Sequence, residues 1–130
     1  MIPSPDSSET SRVRFIEHQG KAVLLQDYSG MQPGPEFFET LHEAQRLTRS
    51  QPPKSVLVLF DATDSRFNTE VITSLKLFVQ GNNPFIKRAA VVGITGLKEV
   101  GLMALTRVAG RPLQTFPTRE EALEHLTGLE

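Results

Sequence analysis

The order of apolar runs in this 130-residue sequence predicts one α/β domain. It is expected to be a mixed, largely parallel sheet of four to five strands with about four helices, in the order β-β-α-β-α-β-α-β-α. Three observations carry this. The run SVLVLF at residues 55–60 and the stretch centred on Ala89-Ala90-Val91-Val92 are apolar without interruption, as strands are when both faces are buried. Segments of helical length with apolar residues on one arc lie between and after them. Strands alternating with such helices build parallel sheets through right-handed crossovers. At this length a fold buries roughly two-thirds of its unfolded surface, enough for one core without staples.

The first eleven residues, MIPSPDSSETS, hold four serines, one threonine and two prolines and nothing apolar after Ile2. Such a segment cannot offset its ordering entropy by burial and is expected to be a disordered tail, with the domain spanning residues 12–130. Residues 13–28 read as two strands around a His18-Gln19-Gly20-Lys21 turn, an antiparallel hairpin. Two glycines and two prolines then mark a loop. Pro35 opens a helix over about 36–49 whose inner arc is Phe37, Phe38, Leu41, Ala44 and Thr48. Gln51-Pro52-Pro53 ends it. SVLVLF, ending at Asp61, is the central strand.

Asn68 caps a second helix from about Thr69 to Gly81, with Val71, Ile72, Leu75, Phe78 and Val79 inward, Leu77 off the arc, and a glycine or asparagine stop before Pro84. Phe85 to Gly93 is the next strand. A third helix over about 97–108 turns Leu97, Val100, Ala104, Leu105 and Val108 inward and leaves Leu102 and Met103 outside. Gly110 closes it. Leu113 to Phe116 is a short last strand. Thr118 and Glu121 have the spacing of a capping box that opens the final helix, which carries Ala122, Leu123 and Leu126.

Composition narrows the function. Hydrophobic residues are 38% and charged residues 22% of the chain, the balance of a soluble globular domain. Lys plus Arg is 14 against 15 for Asp plus Glu, a net charge of −1, which gives no basic excess for nucleic acid. There are no cysteines, so disulfides, thiolate metal sites and cysteine nucleophiles are excluded. No apolar run is long enough for membrane insertion and no signal-peptide pattern opens the chain, so a cytoplasmic address is expected.

In open α/β sheets, sites form at the carboxyl ends of strands. One such end is Asp61-Ala62-Thr63-Asp64-Ser65-Arg66. A carboxylate there can act as a base, or Asp61 with Asp64 can hold magnesium; equally, Asp61 can cap its own loop. Asp61, Asp64, Ser65 and Thr69 are the ligand or switch candidates. The second end, Gly93-Ile94-Thr95-Gly96, precedes a helix N-terminus but matches neither phosphate-binding glycine pattern. His18, His42 and His125 have no ligand spacing. Leu77, Leu102 and Met103, off their helical arcs, are the interface candidates.

The hairpin, SVLVLFDATD, IKRAAVVG and the ending TFPTREEALEHL together resemble the SpoIIAA-like branch of the STAS superfamily, which includes anti-sigma-factor antagonists and cytoplasmic domains of sulfate transporters. The likeness covers residues 12–130. Phe116 and Ala122-Leu123-Glu124-His125-Leu126 match the branch's ending, with His125 where tryptophan is usual. The resemblance implies a four- or five-stranded mixed sheet with helices largely on one face. The Asp-Ser-Ser/Ala-Gly motif of phosphorylatable antagonists would fall near Asn68-Thr69-Glu70 and is absent. The expectation is therefore a non-catalytic, regulatory or protein-interaction module that pairs with a protein partner or with itself as a homodimer and needs no cofactor or metal. The alternative is a small carrier or sensor of an apolar or anionic ligand, with Phe67, Leu77 and Phe78 lining a pocket beside the Asp61 end. An enzyme using Asp61 or Asp64 is the third reading.

Overall fold

The computed structural model describes residues 11–128 except residues 97, 111 and 112. The elements follow the expected order. β1 (Val13–His18) and β2 (Lys21–Asp27) form the antiparallel hairpin. Its two turn residues, Gln19 and Gly20, have φ of 52° and 79°. Two successive left-handed residues make the tight turn whose twist matches the strands. There follow α1 (Pro35–Arg49), β3 (Val56–Asp61), α2 (Thr69–Asn82), β4 (Ile86–Val92), α3 (Lys98–Ala109), β5 (Gln114–Phe116) and α4 (Arg119–Gly128). The sheet order is β1-β2-β3-β4-β5, with β2 through β5 parallel.

Because each parallel strand is laid beside its predecessor in one direction, crossovers of one hand stack their helices over one face. Leu41 and Ala44 of α1, Val71 and Leu75 of α2 and Leu105 of α3 share a core with Leu24, Val56 and Val58. α4 is not a crossover between strands of this sheet. It covers the opposite face, where Ala122 and Leu126 pack on Val23, Leu25, Leu57 and Leu59. The alternation of Leu24 against Val23 and Leu25 is the two-residue period of a strand buried on both sides.

Of the tail expected over residues 1–11, residues 1–10 lie outside the described residues, while the Ser11 hydroxyl donates to the Val13 carbonyl at 2.9 Å. On α1 the buried face also takes in Thr40 and Leu47. Of the two expected stops, asparagine rather than glycine ends α2: it runs to Asn82, with Asn83 as its cap, and tightens into a 3₁₀ turn at Asn83–Phe85. Gly81 instead leaves space for the Arg49 guanidinium, which a Cβ there would meet.

α3 is rotated from its expected setting. Its buried residues are Gly101, Leu105 and Ala109, with Leu102 half-buried, whereas Val100 is 69% exposed. The cause is Gly101: its missing side chain lets α3 close on α2, where a Cβ would lie 2.5 Å from Ile72 Cδ1. A hydropathy arc does not see a face whose packing depends on small size.

Candidate functional site

The carboxyl ends of β2 and β3 repeat one device. Asp27 and Asp61 are register partners across the parallel pair. Asp27 Oδ1 accepts the Ser29 N–H at 3.0 Å and its hydroxyl at 2.6 Å. Asp61 Oδ1 accepts the Thr63 N–H at 2.9 Å and its hydroxyl at 2.6 Å. Each aspartate thus closes its own turn. Arg119, the first residue of α4, bridges them. Its Nε donates to Asp61 Oδ2 at 2.5 Å and its Nη2 lies 3.1 Å from Asp27 Oδ1.

Burial pulls the Asp27 carboxyl upward, but the Ser29 hydrogen bonds and Arg119 together hold it below its ordinary range. Burial likewise opposes charge on Arg119, and Asp61 and Asp27 more than restore it, so its pKa is raised. Lys98, at the start of α3, donates to the Ala62 carbonyl at 2.6 Å and lies 5.9 Å from the Phe67 ring centre. Burial pulls its pKa down, partly offset by Asp64 and Asp61. Both Asp61 oxygens accept hydrogen bonds, and this cluster ties α4 to the sheet.

The other candidates scatter. Asp64 is exposed, in the left-handed region at φ 58°. Ser65 is buried and donates to the Ala62 carbonyl at 2.7 Å. Thr69 is exposed at the start of α2, beyond the Asn68 cap, whose Oδ1 accepts the Val71 N–H at 2.8 Å. Gly93, at φ 83°, serves a close approach: a Cβ there would lie 2.5 Å from Thr63 Cα. His18 bonds Thr127 at 2.8 Å and His125 packs on Phe116. Among the described residues no three His, Cys, Asp or Glu side chains gather as metal ligands. Leu77 and Met103 are 65% and 62% exposed. Leu102 is half-buried and faces a cavity.

That cavity is the feature sequence reasoning placed least well. It lies between the sheet, where Val58, Ala89 and Val91 form part of its wall, and the helices α2 and α3, where Leu75, Leu102 and Leu105 do. Its volume is about 80 Å³. Phe67 and Phe78 line it and Leu77 does not, and Asp61, beside which the pocket was expected, is not among its lining residues. It forms because α3 packs chiefly on α2 and stands away from β4.

Three polar residues reach its wall: Gln26, Asn82 and Asn83. Gln26 Oε1 accepts the hydroxyl of buried Tyr28 at 3.1 Å. Asn82 is 3% exposed and its Oδ1 accepts from Arg49 Nε at 3.0 Å. Arginine only donates, which fixes the orientation of that amide. Its Nδ2 then has no hydrogen-bond partner among the described residues. The only sequence signal for this donor was the Asn82-Asn83 pair, which reads as a helix stop.

No protein-family model, curated protein or solved structure matches this chain. Among the described residues no helix is long and apolar enough to cross a membrane.

Proposed function

We propose that this chain is a non-catalytic binding module, a carrier or sensor that takes a small apolar ligand into the cavity between its sheet and α2–α3. The observation that carries the reading is an apolar void beneath α2 and α3, one of whose lining residues, Asn82, also has an unpartnered Nδ2. An unfilled cavity of about 80 Å³ forfeits about 2 kcal/mol of packing. An unpartnered buried amide N–H costs about 1–3 kcal/mol more. A ligand with an apolar body that fills the void recovers the packing loss. The engagement of both Asp61 oxygens supports a binding role over catalysis.

Membership of the SpoIIAA-like branch of the STAS superfamily, and with it a cytoplasmic regulatory role, is part of this proposal. It rests on the quoted segments. The five-stranded mixed sheet with one antiparallel edge strand is compatible with it.

Native mass spectrometry of the protein from its own host tests the reading. A reproducible adduct lost on denaturation is expected. The neutral probe 1-hexanol should raise the melting temperature with concentration, because a ligand that binds only the folded state stabilises it. No adduct and no shift would overturn the proposal.

A second reading, a protein-interaction module or homodimer, is favoured by Leu77, Val100 and Met103, three large apolar side chains exposed on the packed helices α2 and α3. It expects self-association or partner capture to weaken in the Leu77→Ser, Met103→Ser double variant. An unchanged sedimentation series would dismiss that surface.

A further inference from the structure

We infer that the ligand is an amphipathic anion, a carboxylate on a short apolar chain, with its head in a basic depression at the amino ends of β3 and β4. The inference rests on the cavity being a ligand site. The depression is lined by Lys54, Pro84, Lys87 and Gly110, and it shares Asn83, Ile86 and Ala109 with the cavity wall. The two spaces therefore adjoin. Among the described residues no carboxylate lines the depression. Among the described residues neither lysine ammonium has an ion-pair partner.

Both lysines sit where the backbone departs from its regular course. Lys54 has φ 54°, a left-handed conformation that strains any residue with a Cβ and that glycine takes freely. Between β3 and β4 the register passes from Val56↔Ile86 to Leu57↔Arg88, which leaves Lys87 as the extra residue of a bulge. Bulges re-aim side chains and cluster beside binding sites.

The continuity of the two spaces runs past Asn82, which lines the cavity but not the depression. Asn82 directly precedes Asn83, which lines both spaces. At about 80 Å³ the cavity itself has room for about three carbon atoms at liquid-like volumes near 30 Å³ each. The remainder of a six-carbon chain would span the mouth and carry its head to the lysines.

The test compares hexanoate, 1-hexanol and hexylamine by isothermal titration against the full chain. Hexanoate is expected to bind about fivefold more tightly than hexanol, the gain of two exposed ion pairs. Screening should erase that advantage in high salt. The Lys54→Gly, Lys87→Gln double variant should lose the advantage and still bind hexanol. Glycine relieves the strain at position 54, so an unlowered melting temperature will certify the variant as folded. Equal affinity for hexanoate and hexanol, or hexylamine binding as well as hexanoate, would overturn the head-group inference and leave the cavity reading standing. Binding of none of the three would overturn both.

Discussion

Arg119 holds two carboxylates that belong to adjacent strand ends, and it does so from the first turn of a helix on the far face of the sheet. Replacing it strands Asp61, whose side chain is 6% exposed. Removing one partner of a buried ion pair costs more than the pair contributes, because an uncompensated charge remains. The two Thr63 hydrogen bonds soften that loss. Arg119→Met should cost about 2–3 kcal/mol in urea unfolding at neutral pH. Adding Asp61→Asn should recover part of it. A single-variant loss below about 0.5 kcal/mol, the level of an ordinary surface change, would show that the cluster does not anchor α4.

Asp27 gives the same cluster a pH signature. Its folded pKa lies below the ordinary 3.8, so the folded state binds this proton less readily than the unfolded chain. The stabilisation is present above the unfolded value and is lost as pH falls through 3.8 and then through the lower folded value. Asp27→Asn should lower stability by about 1 kcal/mol at neutral pH, since the group is partly exposed. The difference from the parent should shrink below about pH 4. A difference that stays constant down to acid denaturation would place the effect elsewhere.

Among the elements, α3 stands apart. It leans on α2 through Gly101, and the cavity lies beneath it. Gly93 and Gly96 precede it and Gly110 follows it, all at positive φ. Its amides should exchange with deuterium well before those of β2 and β3, because few buried contacts must open to release it. A filled cavity should slow that exchange; equal protection of α3 and β3 without ligand would contradict this picture. Gly93 also fixes where α3 begins. Gly93→Ala forces a side chain to φ 83° and into the Thr63 backbone. It should cost about 3 kcal/mol, the sum of backbone strain and overpacking, read as a lowered denaturation midpoint.

At the scale of the molecule, the packing defect and the proposed function are one feature. Ala89→Leu adds three carbons to the cavity wall. It should raise stability by about 1 kcal/mol and abolish hexanol binding. A folded variant that still binds the alcohol would place the ligand elsewhere.

The element order, the central position of β3 and the hairpin turn were legible in the sequence because they depend on local pattern: period, unbroken apolarity and glycine at a turn. The Asn68 and Thr118 caps are of the same kind, since their hydrogen bonds span three residues. The resemblance added the prospect of helices gathered on one face, and the three crossover helices lie so, with α4 opposite. What tertiary structure alone decided is of another kind. The pairing of Asp27 and Asp61 through Arg119 joins residues far apart in the chain. The rotation of α3 follows from a missing side chain, and hydropathy weighs only side chains that are present. The cavity is a volume left between elements, and the depression beside it lies at the amino ends of strands, away from the carboxyl ends that the general rule favours. Local chemistry wrote the elements into the sequence, whereas the spaces between them exist only once the elements have packed.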